Sequence, residues 1–451
     1  MQTAFTPEQL RDPGIAEAAH ILKDCVHYGF CTAVCPTWVL LRDENDGPRG
    51  RIDLIREMLE SDAPPKAATV RHIDQCLSCN ACMTTCAAKV DYLHLADVAR
   101  VHIERRFKRP WPDRLLRAFI AAIVPDAGRF RRAMALARLA RPFARLLPGR
   151  LGALVRMAPG RLDAEPALAP GIYSAEGERR YRVALLAGCA QQTLAPQINT
   201  ATVRLLTRHG CEVVVADLKC CGALTLHMGK AEPAIAAARS CVRTWMEERD
   251  SDGLDAVLVN ASGCGTTVKD YGHLLQDDRA LGDDAAHIGA ITRDVTEWMA
   301  RIGLQAPATK RPLTVAYHDA CSLQHAQGVT EPPRARLRQA GYTVVDVPEK
   351  HFCCGSAGTY NMLQPKIAGD LGARKAAHIE STGAALAAAG NLGCITQLGL
   401  HTDLPIVHTV ELLDWATGGP MPASLSDIEI PEDDGGNADV SPTGGGQVGV
   451  W

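Results

Sequence analysis

Several features that would point to a class of function are missing from this sequence. Only 5% of its 451 residues are aromatic. No uninterrupted apolar run reaches about 18 residues, the length a helix needs to cross a bilayer, so no membrane span is predicted. No G-x-G-x-x-G follows a strand-like run and there is no P-loop, so neither a flavin, nicotinamide nor nucleotide site is indicated. A G-x-S-x-G elbow and an H-E-x-x-H helix are absent too. Charge of one sign does not dominate: 48 Lys+Arg stand against 51 Asp+Glu, a net charge of −3. That balance excludes the composition of a general nucleic-acid binder. The opening MQTAFTPEQLRDPG lacks the basic-then-apolar layout of a signal peptide, and the expectation is a cytoplasmic protein.

Cysteine, by contrast, is abundant. The 17 cysteines fall in three groups: seven from Cys25 to Cys86, six from Cys189 to Cys264 and four from Cys321 to Cys394. In a reducing compartment, clustered cysteines are metal or redox ligands more often than disulfides. A chain of this length holds two to four domains. The expected class is α+β, multidomain. An α-helical ferredoxin-like unit would occupy residues 1–104, with Ile52, Ile55 and Leu59 at helical spacing. Residues 105–180 would form a basic helical connector followed by a linker from 162. Its segment 105–161 has 15 Arg or Lys and only two acids, Asp113 and Asp126. Two repeated α/β units would follow, 181–308 and 309–423, and residues from Ser424, rich in Gly, Asp and Pro, would be disordered.

The repeat rests on spacing. Cys189 to Cys321 is 132 residues, Cys220 to Cys353 is 133, and Cys264 to Cys394 is 130. Cys220-Cys221-Gly222 recurs as Cys353-Cys354-Gly355. Strand-like runs precede most of these cysteines: Val183–Ala187, Glu212–Ala216 and Ala256–Asn260, then Leu313–Tyr317 and Tyr342–Val347. Cys394 follows an alanine-rich stretch that reads as helix. Each unit therefore offers four thiols as metal ligands: Cys189, Cys220, Cys221 and Cys264, and Cys321, Cys353, Cys354 and Cys394. Adjacent cysteines suit a cluster larger than one ion, or a backbone bent by the following glycine. Buried structural thiols are the competing reading, and the one preferred for Cys211 and Cys241, which have no counterpart in the repeat. His318-Asp319, just before Cys321, would order a ligand or cap a turn.

In the N-terminal group, Cys76, Cys79, Cys82 and Cys86 spell C-x2-C-x2-C-x3-C, a frame that wraps three thiolates around an iron–sulfur cubane. Cys25, Cys31 and Cys35-Pro36 repeat the frame with Tyr28 at the second cysteine's position. Because the fourth cysteine of each run serves the other cluster in two-cluster ferredoxins, Cys35, Cys76, Cys79 and Cys82 would hold a [4Fe–4S] cluster. Cys25, Cys31 and Cys86 would hold a [3Fe–4S] cluster or a labile [4Fe–4S] cluster, with Tyr28 marking the missing ligand. A zinc knuckle is the competitor, and seven cysteines in two such frames fit it less well.

At this point the chain resembles a family. The halves C-V-H-x-G-F-C-T-A-V-C-P-T and C-L-S-C-N-A-C-x-T-T-C, with PRGRI at Pro48–Ile52 between them, look like the iron–sulfur subunit of glycolate oxidase. The likeness continues through LLAGCAQQTLAPQINTATVRLL, CCGALTLHMG, ASGCGTTVKDYGHLL, YHDACSLQHAQGV, CCGSAGTYN, GNLGCITQL and VHTVELLDWA, across residues 8–418. Tyr28 departs from the family's cysteine, and Ala87 from its usual C-P ending. The repeats resemble the cysteine-rich CCG domain of heterodisulfide reductases, which carries iron–sulfur or zinc. Its fuller form ends C-x-x-C; Thr267 and Gln397 stand in the last position here, which argues against disulfide reduction.

The resemblance implies an electron-transfer subunit with no catalytic residue of its own. Flavin-containing partner subunits would oxidise glycolate to glyoxylate, and this chain would relay electrons towards a membrane quinone. The Arg-rich segment would suit the inner-membrane surface. The corresponding subunit of a lactate- or glycerol-3-phosphate-oxidising complex is an alternative. A zinc-binding, non-catalytic assembly scaffold is another.

Overall fold

The structure is a computed structural model that describes residues 1–428 apart from 145, 147–148, 159–164 and 309–311. Mixed helix and strand are arranged as the α+β class predicts.

The N-terminal part is helical: α1 (Pro13–Asp24), α2 (Pro48–Glu60), α3 (Ala67–Asp74) and α4 (Tyr92–Arg106). Their starts follow from local chemistry. Asp12 caps α1 by accepting from the amides of Gly14 and Ile15, with Pro13 at the first position, and Asp91 caps α4 by accepting from the amide of His94. The helices bury Ile21, Leu22, Ile55, Leu59, Ile73, Leu95 and Ile103 against one another. The cysteine loops hang from this core.

The connector forms α5 (Trp111–Ile123), α6 (Ala127–Ala140) and α7 (Gly149–Met157). Its cations divide into two kinds. Arg109 and Arg117 turn inward: Arg109 Nη1 lies 2.6 Å and Arg117 Nη2 3.1 Å from Asp74, and Arg117 Nε lies 3.1 Å from Asp113. Arg114, Arg129, Arg132, Arg138 and Arg141 stay exposed.

The two α/β units share one plan. In the first, β1 (Gly171–Tyr173), β2 (Tyr181–Leu186), β3 (Cys211–Val215), β4 (Ala256–Val259) and β5 (Thr292–Asp294) form a sheet in the order β1-β3-β2-β4-β5. In the second, β6 (Thr314–His318), β7 (Thr343–Asp346), β8 (Leu386–Ala389) and β9 (Ile406–His408) are ordered β7-β6-β8-β9. All neighbours are parallel except β1, which is antiparallel to β3. Removing β1 leaves the same strand order in both. The register repeats as well: Leu186 pairs with Val259 in one sheet, and His318 pairs with Ala389 in the other.

Three expectations change. The alanine-rich stretch before Cys394 is strand β8, not helix. Ala387, Ala388 and Ala389 are fully buried between β6 and β9, and the central position in a parallel sheet overrides alanine's helical preference. Residues read as linker supply edge strand β1, held by its pairing with β3. Residues from 429 lie outside the described part, but the first residues of the expected disordered tail are packed: Leu425 is buried in the core.

The two sheets belong to one apolar core that includes Val183, Leu258, Val315 and Val407. Asp414, 1% exposed, receives Arg204 and Arg208 from across the repeat boundary, and His408 bridges to the Asn260 carbonyl at 2.8 Å.

The helical part docks on the first unit through His94, which sits between Asp91 (2.6 Å) and Asp270 (3.1 Å) and stacks on His273. Burial opposes its charge, but the two carboxylates overcome this and push its pKa up to about 10 from 6.5. A raised value in the folded state gives stability that is complete below about 6.5 and is lost as pH rises towards 10. Thermal melts should therefore show the melting temperature falling from pH 7 to pH 10 in the native chain, with a shallower slope in His94→Ala.

Candidate metal centres

The two N-terminal loops have the same backbone. In Cys76–Cys82, Ser78 (φ 50°) and Asn80 (φ 59°) are left-handed; in Cys25–Cys31, His27 (φ 59°) and Gly29 (φ 84°) are. Left-handed non-glycine residues are uncommon, so their recurrence two and four places after the first cysteine marks one shared winding. That winding sets Tyr28 in the place of Cys79.

Cys35, Cys76, Cys79 and Cys82 line one cavity together with Pro36, Thr37 and Arg51. Cys25, Cys31 and Cys86 line a second, with Cys82 at the shared boundary. Cys35 of the first run thus lines the cavity of the second run, and Cys86 of the second run lines that of the first. Both donor sets are soft sulfur, suited to iron. Tyr28 lies at the mouth of the second cavity: it is 64% exposed and stacks on Phe30 at 6.3 Å between ring centroids. With Val26 and Phe30 also exposed, the rim of the second cavity is an open apolar surface.

The first cavity is held electrostatically by a buried cation that sequence patterns did not single out. Arg51 is 1% exposed. Its Nε donates to the His72 carbonyl (2.7 Å), Nη2 donates to Thr37 Oγ1 (3.1 Å), and Nη1 approaches Cys35 Sγ at 3.9 Å. Asp46 braces the set through His72 Nδ1 at 2.9 Å. Arg100 donates to Ser78 Oγ (2.6 Å) and to the Cys76 carbonyl (3.0 Å). Burial works to raise the Cys76 thiol, but Arg51 and then Arg100 outweigh it and hold it below its ordinary value. Cys79 and Cys82 are pushed well up, first by burial and then by neighbouring thiols. The signal that would have found Arg51 is an arginine on the apolar side of α2, in register with Ile52, Ile55 and Leu59.

In the α/β units the thiols sit where strands end. Cys189 follows β2, the Cys220-Cys221 pair follows β3, and Cys264 opens the helix Ser262–Lys269 after β4; Cys321, Cys353-Cys354 and Cys394 repeat this around β6, β7 and β8. Cys189 and Cys220 sulfurs are 3.7 Å apart, Cys321 and Cys353 3.6 Å. The glycine after each pair is obligatory. Gly222 (φ 91°) and Gly355 (φ 89°) are left-handed, and a Cβ would lie 2.8 Å from the Ala234 carbonyl oxygen in one and 2.6 Å from that of Ala368 in the other.

All eight thiols line one cavity of about 250 Å³ between the two units, roofed by Leu77, Phe130, Met134 and Leu154. The repeat predicts two sets of four; it does not predict that they face each other. Cys79 joins Cys353 in a small apolar cluster with Leu77, so the first N-terminal cavity adjoins the second unit. Thr267 and Gln397, in the places of the missing cysteines, are buried, and Gln397 Nε2 donates to the Ala368 carbonyl at 2.9 Å. Cys211 and Cys241 lie in the core: Cys211 accepts from Trp298 Nε1 at 3.5 Å, and Cys241 donates to the Cys220 carbonyl. Asp319 is taken up by a bidentate pair with Arg334 (2.7 and 2.6 Å). His318 turns instead towards Cys354 and Cys394, and burial holds it neutral, pushed down to about 3.

Paired thiol cavities on a helical unit, joined to duplicated thiol-lined α/β units, define an iron–sulfur protein of the ferredoxin-plus-CCG class. Comparison agrees: residues 21–90 match the 4Fe-4S dicluster domain family, and residues 183–269 and 315–399 each match the cysteine-rich domain family. Across 92% of this chain and 99% of the relative, it is 37% identical to the glycolate oxidase iron-sulfur subunit of Escherichia coli (strain K12). It belongs to the glycolate oxidase iron–sulfur subunit family. A probable glycolate oxidase iron-sulfur subunit of Bacillus subtilis (strain 168) is 28% identical over 88% of this chain and 94% of that protein. Lactate utilization protein A of the same organism is 25% identical over 52% of this chain and 99% of its own length. A crystal structure of a hypothetical Helicobacter pylori protein matches the fold with a TM-score of 0.52 at 9% identity, over 92% of this chain and 74% of that one.

Replacing Arg51 by Leu removes a positive charge beside Cys35 and Cys76. In the iron-loaded protein the potential of the centre there should drop by on the order of 50–100 mV, the equivalent of about 1–2 kcal/mol. A redox titration of the variant beside the native chain measures it.

Proposed function

We propose that this chain is the electron-transfer subunit of a glycolate-oxidising complex, receiving electrons from a flavin on a partner subunit and passing them towards a membrane quinone. Glycolate becomes glyoxylate on the partner. The observation that carries the reading is the continuous file of thiol sets. It starts at the exposed rim of Val26, Tyr28 and Phe30, passes Cys25, Cys31 and Cys86, then Cys35, Cys76, Cys79 and Cys82, and reaches the eight-thiol cavity beside Cys353. Iron–sulfur clusters bound by the N-terminal thiols supply one-electron storage, and the cysteine-rich units hold iron–sulfur or zinc. The chain's own residues do the rest. Buried Arg51 and Arg100 neutralise thiolate charge, α2 and α4 exclude water, and the missing thiol at Tyr28 leaves the outer centre with a three-cysteine site.

The basic connector fits an anionic membrane surface. Trp111, Leu115, Phe119, Leu136, Leu139 and Phe143 are all exposed, and so are Arg114, Arg129, Arg132, Arg138 and Arg141 along the same segment. No helix among the described residues is long and apolar enough to cross a membrane, so contact would be at the interface. Serine at Trp111, Leu115 and Phe119 together should abolish sedimentation with anionic vesicles, and unchanged sedimentation would place the connector elsewhere.

The test of function is anaerobic assembly with the flavin-bearing partners. Glycolate should reduce the chain's iron centres, read by electron paramagnetic resonance, faster than lactate or glycerol 3-phosphate does. Preference for lactate would favour the lactate-oxidising alternative, which the relationship to lactate utilization protein A keeps in view. Tyr28→Cys should replace the signal of an oxidised three-iron centre with that of a four-iron one and add about one iron per chain. An unchanged signal would refute the ligand set at Cys25, Cys31 and Cys86.

A further inference from the structure

A group of metal-ligating side chains that contains no cysteine stands where the helical part meets the first α/β unit. Glu17 of α1, His94 of α4 and His273, in the helix Tyr271–Leu274, bring a carboxylate oxygen and two ring nitrogens to within 4.8 Å of one another. His273 Nε2 and Glu17 Oε1 are already 3.1 Å apart, and the two imidazoles stack with ring centroids 3.6 Å apart. Imidazole nitrogen and carboxylate oxygen bind a zinc-type ion at about 2.0–2.2 Å, so side-chain rotation alone closes the three donors on an ion between them.

His94 has the surroundings of a ligand. Its Nδ1 lies 2.6 Å from Asp91, and its Nε2 lies 3.1 Å from both oxygens of Asp270. A histidine that binds metal through one nitrogen usually gives its other N–H to a carboxylate, which fixes the ring. Asp91 fills that outer role, and Asp270 brings a further oxygen donor from the first α/β unit to the Nε2 side.

Charge points the same way. Asp97, one turn further along α4, lines the same cleft; its Oδ1 is buried and makes no hydrogen bond. Arg100 Nη1 stands 3.7 Å away from it and donates to Ser78 Oγ instead. Four partly buried carboxylates, Glu17, Asp91, Asp97 and Asp270, thus gather around two imidazoles. A buried carboxylate oxygen without a donor is costly, and a nearby cation offsets the cost. The cleft has a volume of about 530 Å³, room for an ion and for waters that complete its shell.

We propose that this cleft binds one divalent transition-metal ion through His94 Nε2, His273 Nε2, Glu17 and Asp270, tying the helical part to the first α/β unit. The ion takes the place of the proton that Asp91 and Asp270 otherwise hold on His94. It is separate from the thiol cavities, yet it bears on one of them. Arg100, on the same helix as His94, donates to the Cys76 carbonyl, so an ion that fixes α4 also fixes the wall of the first N-terminal cavity.

The test is a manganese(II) titration of the full-length, iron-loaded chain, because manganese favours oxygen and nitrogen donors over thiolates. Free manganese is read by electron paramagnetic resonance at room temperature. About one ion per chain should bind in the native protein. His273→Ala and Glu17→Ala should each weaken binding at least about tenfold while the iron content is unchanged. Spin-echo spectra of the manganese bound to the native chain should show couplings from two imidazole nitrogens, a readout that needs no variant. The assignment is overturned by absence of stoichiometric binding, by bound manganese without imidazole couplings, or by unchanged affinity in both variants.

Discussion

Thiolates repel one another, and this fold is organised around holding many of them at close quarters. Fifteen of the 17 cysteines converge on three cavities; only Cys211 and Cys241 serve packing. Three devices oppose the repulsion. Left-handed residues wind the N-terminal loops so that sulfurs face inward. Buried arginines set positive charge beside Cys35 and Cys76. In the α/β units, Gly222 and Gly355 let adjacent cysteines turn into one site by bringing the backbone against a neighbouring helix carbonyl. Metal held there would complete the neutralisation, since a thiolate ligand and a cation stabilise one another.

Much of this architecture was legible in the sequence because it is written in spacing. Offsets of 132, 133 and 130 residues predicted a duplicated unit, and the matching strand orders and registers of the two sheets are that duplication in space. The C-x2-C-x2-C-x3-C frame predicted which cysteines would share a cavity, and the tyrosine within the degenerate frame falls where its winding requires. Short apolar runs placed five of the nine strands, β2, β3, β4, β6 and β7, to within about two residues, because buried parallel strands are continuous apolar stretches.

What escaped was decided by neighbours distant in sequence. β8 reads as helix because alanine favours helices locally, and only its position between β6 and β9 makes it strand. β1 has no pattern of its own and exists because β3 offers an open edge. That the two thiol sets share a cavity depends on how the units pack through their common core and Asp414. The basic connector was legible as composition but not as a division of labour. Arg109, Arg117 and Arg150 are spent on Asp74 and Asp113, while Arg114, Arg129, Arg132, Arg138 and Arg141 stay exposed. His318 was read as ordering a ligand or capping a turn, and that neither of its ring nitrogens has a hydrogen-bond partner among the described residues becomes visible only once β6 is in place.

Electron transfer through this chain depends on iron and sulfide gathered by the N-terminal thiols. The most direct measurement is the iron and acid-labile sulfide content of the chain purified under anaerobic conditions. About seven or eight irons with matching sulfide are expected from one four-iron centre and one centre of three or four. Colourless, iron-free protein that still supports full glycolate oxidation beside its flavin-bearing partners would contradict it.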